Sequence, residues 1–82
     1  EQSIINTTEL FPTIADETIQ VNCTKRFDSI KIYNVLGNLV REEYFKNSFS
    51  HNANTSEIPP GKYVLITQND GLNTGFASFI KK

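Results

Sequence analysis

The sequence predicts an all-β protein, a two-sheet antiparallel β-sandwich of about seven short strands. Three observations carry that expectation. Apolar residues recur with period two in several separate windows, β-branched and aromatic residues dominate each of those windows, and Gly, Pro, Asn and Asp punctuate the chain at roughly ten-residue intervals. No window of helical length carries an apolar stripe at 3.6-residue spacing. Even spacing of the turn signals favours a sandwich over a closed barrel.

The elements follow in order. Glu1 to Thr8 alternate irregularly and read as a leading linker, with room for a short edge strand at Ile4-Ile5. Thr18 to Thr24 is the first clear strand, with Ile19, Val21 and Cys23 on one face and Thr18, Gln20, Asn22 and Thr24 on the other. Lys25-Arg26-Phe27-Asp28 reads as a polar connection. In Ser29 to Asn34, Ile30 and Ile32 point inward and Lys31 and Tyr33 outward. Val35-Leu36-Gly37-Asn38 then supplies a tight turn, with Gly37 where positive φ is needed, and Leu39 to Tyr44 is the antiparallel return strand.

Asn47 to Ser56 is an Asn/Ser-rich loop in which Phe49, His51 and Ala53, two residues apart, permit a short edge strand. Pro59-Pro60-Gly61 is the strongest punctuation in the chain, with Gly61 expected in the αL conformation. Lys62 to Thr67 is apolar on both alternating faces, which predicts a central strand covered on each side. Asn69-Asp70-Gly71 is a hairpin turn, and Leu72 to Lys82 the last strand, with Phe76 and Ile80 on one face and Ala77 and Phe79 on the other.

Composition narrows the function. The chain has 82 residues, 38% of them hydrophobic, 21% charged, and nine aromatics. So short a chain folds as one domain with a thin core, burying roughly 60% of its unfolded surface. Eight Lys and Arg against nine Asp and Glu are scattered without a basic stripe, which excludes a nucleic-acid footprint. The longest apolar run is Tyr63-Val64-Leu65-Ile66, too short for a helical membrane span. Cys23 is the single cysteine, so no internal disulfide can form. Glu1 without an initiator Met, and without a signal peptide behind it, suggests a piece of a longer protein.

No residue pattern points to catalysis, a metal or a cofactor. His51 is the single histidine, in an Asn/Ser-rich stretch without a nucleophile motif, and reads as an edge-strand side chain. Cys23 alternates with Ile19 and Val21 and reads as a small buried hydrophobe. The carboxylates lack metal-ligand spacing, and Gly61-Lys62 lacks the remainder of a phosphate loop. Tyr33, Tyr44 and Phe45 are expected to pack across strands rather than form a binding platform. The chain is not expected to be an enzyme.

Several segments together resemble the type A C-terminal sorting domain of type IX secretion, an Ig-like sandwich. They are Leu10-Phe11-Pro12, the alternation of Thr18 to Val21, Ile30 to Asn34 with Gly37, Ile58-Pro59-Pro60-Gly61-Lys62-Tyr63-Val64-Leu65-Ile66, and the terminal Phe79-Ile80-Lys81-Lys82. The opening motif departs from the family pattern, since Phe11-Pro12-Thr13-Ile14 lacks the usual Asn-Pro after the first proline. The resemblance implies that residues 1–9 link to an upstream cargo and that residues 10–82 are the sorting domain. It implies an outer-membrane translocon and a sortase-like peptidase as partners, and a cargo that reaches the cell surface or the medium through the periplasm and outer membrane.

Candidate recognition residues on that resemblance are Phe11, Pro12, Gly37, Pro60, Gly61, Tyr63, Phe79, Ile80, Lys81 and Lys82. The last strand is the expected recognition element, read by strand addition at an exposed edge, with Lys81 and Lys82 either meeting an acidic receptor or guarding the edge. Self-association through edge strands is a further expected route. A generic sandwich adhesion or carbohydrate-binding module is the alternative function.

Overall fold

The fold is organised around one long strand that serves two layers. A computed structural model describes residues 8–11 and 13–82, and for Phe11 the backbone alone. Its strands are β1 (Thr8–Phe11), β2 (Ile14–Ala15), β3 (Thr18–Asn34), β4 (Leu39–Asn54), β5 (Gly61–Asn69) and β6 (Leu72–Lys81), with no helix among the described residues. The all-β expectation holds. The described residues form six strands, against the about seven short ones expected, and two of them run for 17 and 16 residues.

The first half of β3 lies between β1 and the end of β4, with Leu10 opposite Val21 and Ile19 opposite Ala53. Its second half lies between the start of β4 and β5, with Ile30 opposite Glu43 and Ile32 opposite Leu65. The chain bends between the halves, where register shifts interrupt the pairing at Asn22/Phe27 and Phe27/Ser29. Bulges of this kind sharpen twist and turn a corner without ending a strand. The sheet folds over on itself there, and both halves send side chains into one core of Ile19, Val21, Phe27, Ile30, Ile32, Leu65 and Phe79.

The corner corrects two expectations. The polar connection expected at Lys25-Arg26-Phe27-Asp28 is part of β3, and Phe27 within it is fully buried, set edge-on against Phe45 at 5.4 Å. Residues 47–56, expected as a loop with room for a short edge strand at Phe49 to Ala53, are strand as far as Asn54, and from Ser50 to Asn54 they pair with β3 residue by residue. Polarity misleads at both places because the outer side of a corner faces water: Arg26 lies over the exposed Phe49 ring at 4.7 Å, while Phe27 points the other way.

The two ends of the layered sheet are joined by adjacent stretches of chain. β1 pairs with β3 in one layer, and β2, beginning three residues after it, pairs in parallel with β6 in the other, Ile14 opposite Ile80 and Ala15 opposite Lys81. Thr8 reaches across to Thr67 on β5 at 3.0 Å, in a buried hydroxyl cluster that includes Thr74 and the Cys23 thiol. Neither β1 nor β2 is apparent in the sequence, each being too short to show a period. The expected strand at Ile4-Ile5 lies outside the described residues.

The turns follow residue chemistry. Asp70 and Gly71 join β5 to β6 with φ of 54° and 81°, the two positive values that a two-residue hairpin loop needs. Gly37 takes φ of 84° in the β3–β4 turn, where the Asn34 side chain accepts from the amides of Leu36 and Asn38. β5 departs from expectation on one face. Tyr63, Leu65 and Thr67 are buried, but Lys62 and Val64 are exposed and Ile66 half-buried, so the strand is central in the sheet and covered on one side only.

Candidate recognition surface

Of the predicted recognition residues, Gly37, Pro60, Gly61, Tyr63, Phe79, Ile80, Lys81 and Lys82 gather at one end of the sandwich. Asn34 pairs with Tyr63 and Gly61 with Lys81, which brings the β3–β4 turn, the Pro59-Pro60-Gly61 turn and the C-terminal end of β6 to that end together. Within the group the buried members form a lock. The Tyr63 hydroxyl donates to the Pro59 carbonyl, its ring stacks against Phe79 with centroids 5.7 Å apart, and the Lys81 ammonium donates to the Ile58 carbonyl at 3.2 Å. Gly61 has φ of 155°, extended positive backbone rather than the αL expected, and a side chain there would face the Tyr63 ring at 3.7 Å.

Burial divides the predicted set. Tyr63, Phe79 and Lys81 are buried, the last only 8% exposed, so their work is to hold the Pro59–Gly61 turn against the end of β6. Gly37, Pro60, Gly61, Ile80 and Lys82 remain at the surface. Phe11 contributes backbone to β1, while its side chain and Pro12 lie outside the described residues. Pro59 and Ile58 supply the two carbonyls that complete the lock. The sequence places Ile58 and Pro59 in a motif, but this role depends on the pairing of β5 with β6 and is not visible there.

The last strand is not a bare edge where it ends. β5 pairs along one side of β6, and on the other the amides of Ile80 and Lys82 donate to the carbonyls of Thr13 and Ala15, both at 2.9 Å. Strand addition at residues 80–82 would have to displace β2. β4, which pairs with β3 alone, carries inward-facing charge: Arg41 Nε and the Glu43 carboxylate meet at 2.7 Å. Inward charge and bulges are the usual guards of an edge strand.

The potential chemistry at His51 resolves into architecture. Its Nε2 lies 2.7 Å from Glu43, eight residues earlier on the same strand, a separation that would be about 26 Å in a straight strand. The contact therefore spans the fold of β4, and the His51 ring stacks on Phe45 at 3.8 Å behind it. Burial pushes the Glu43 carboxyl up, but hydrogen bonds from His51, the Asn54 amide and Arg41 outweigh it and hold the group below the ordinary carboxylate value. Cys23 is buried among threonine hydroxyls. Among the described residues no three His, Cys, Asp or Glu side chains converge as metal ligands.

Comparison with known families supplies the decisive observation. The family model for the secretion system C-terminal sorting domain matches residues 9–82, which spans the Gly61–Tyr63 turn, the Phe79–Lys81 lock and nearly all of the strands. The chain belongs to that family. It is a C-terminal sorting domain of type IX secretion, the tail of a cargo protein handled by that system and exported to the cell surface or secreted. The family is one of sorting signals rather than enzymes. No curated protein matches the chain.

Proposed function

We propose that this sorting domain is a folded label read by the outer-membrane translocon of type IX secretion. A sortase-like peptidase of the cell envelope then removes it close to its start. On this reading residues 1–9 carry the link to the cargo and residues 10–82 are the label, with Thr8 and Glu9, already paired to β3 in β1, where the two join. The single observation that carries it is the family match over residues 9–82, which includes the packed end built from Ile58, Gly61, Tyr63, Phe79 and Lys81. Buried residues of that end keep the shape, and Gly37, Pro60, Ile80 and Lys82 are the groups it offers to a receptor. Family membership favours this over an adhesion or carbohydrate-binding module.

The test is a fusion of residues 1–82 behind a signal peptide and a reporter, expressed in a bacterium that has the system. Reporter on the surface or in the medium is expected, and its loss when the translocon is deleted. A folded, intact fusion that stays in the periplasm of the competent strain would sink the reading.

A further inference from the structure

Strand register gathers Ile14, Leu39, Val64, Phe76 and Ile80, among the exposed large apolar side chains, onto one face. Cross-strand partners share a face. Ile14 faces out beside Ile80, Ile80 beside Lys62, Ile66 beside Phe76 and Lys31, and Val64 beside Tyr33, with Leu39 next to Tyr33 on β4. Ile14, Ile80 and Leu39 are each about half exposed and Val64 is 37% exposed, whereas their neighbours in sequence on the opposite face, Ala15, Phe79 and Leu65, are buried. Five strands, β2, β6, β5, β3 and β4, thus present a face in which these apolar side chains are interspersed with Lys62, Ser78 and the Lys31–Glu42 pair, and no described element covers it. The largest apolar patch of a small protein is often an interaction site.

Its dimensions and charge indicate the occupant. Five strands at about 4.8 Å spacing and three side-chain rows along β5 span roughly 300–400 Å². Two copies packed face to face would bury roughly 600–800 Å² in total, below the ~1,200 Å² of stable specific complexes. The patch is the size of a transient contact. On its surface Lys31 lies 4.0 Å from Glu42, which leaves exposed Lys62 and, at the end of β6, Lys82 as the excess charge beside Ile80. We infer that the outward face of the β2-β6-β5-β3-β4 layer is a transient docking surface for a protein of the export machinery that offers an apolar patch with acidic groups at its margin. This rests on the translocon reading above and specifies the side of the label that is read.

The experiment compares reporter fusions carrying Val64→Glu with Phe76→Glu, on the face and away from the Pro59–Gly61 end, against Leu72→Glu, exposed beside the β5–β6 turn. The face variant is expected to melt near the parent temperature and to lose about tenfold in exported reporter, with the turn variant exported as the parent. Parent-level export of the face variant overturns the inference while leaving the translocon reading intact. Failure of the parent fusion itself removes both. Should the face variant melt early, Lys62→Glu decides, since that side chain is exposed: a several-fold loss supports the surface and unchanged export overturns it. Sedimentation of the chain at micromolar concentration is expected to give a monomer. A dimer abolished by Val64→Glu would make the occupant a second copy and overturn the assignment.

Discussion

At the scale of single residues, backbone geometry and one carboxylate make the sharpest claims. Gly61 holds φ of 155° at the first position of β5, and a Cβ there would find ordinary contact with Tyr63, so the strain of a substitution comes from the backbone rather than from a clash. Gly61→Val should destabilise the fold by about 1–3 kcal/mol, read as a lowered denaturation midpoint with unchanged slope. Glu43 ties the two ends of β4 through His51 and the Asn54 amide, with its folded pKa below the unfolded value. Its contribution is complete above the unfolded Glu pKa of about 4.3 and is lost as pH falls through the lower folded value. Glu43→Gln should therefore lower stability near neutral pH and flatten its fall below about pH 4, followed by urea denaturation across pH.

At the scale of elements, β5 and the β3–β4 corner decide what the fold withstands. Leu65 is fully buried between Ile32 and Ala77, whereas Val64 faces out on the docking layer. Leu65→Ala should cost about 2–5 kcal/mol and Val64→Ala about 1 kcal/mol or less, a contrast that equilibrium unfolding resolves directly. Equal losses would mean that β5 is covered on both faces. At the corner, Phe27 fills the inside of the bend against Phe45, and Phe27→Ala should cost about 3–5 kcal/mol by the same measurement. A near-neutral result would return residues 25–28 to the connecting loop that their polarity suggests.

At the scale of the whole molecule, pairing is between distant parts of the chain: Thr8 opposite Cys23, Ile14 opposite Ile80, Ser29 opposite Gln68. Closure of such loops has to precede the contacts that reward it. Refolding should accordingly take milliseconds to seconds, observed by stopped-flow fluorescence of its tyrosines, and a complete microsecond phase would contradict this topology. The same arrangement suits a label on a larger protein. The end of β6 is paired and β4 carries inward charge, and what the domain turns toward a partner is a face of side chains.

Much of this was legible in the sequence. Period-two alternation placed Ile19, Val21 and Cys23, then Ile30 and Ile32, on the buried side, and Asp70-Gly71 and Gly37 announced their turns because few residues tolerate positive φ. The motif from Ile58 to Tyr63 with Phe79-Ile80-Lys81-Lys82 pointed to the family. Only the tertiary structure showed that β3 and β4 pass unbroken through the corner and that Phe27 is core. Tertiary pairing also seats Lys81 inside on the Ile58 carbonyl and leaves one face of β5 open. The reason is physical: alternation reports which side of a strand is apolar, but whether another layer lies against that side depends on how far the sheet folds over itself.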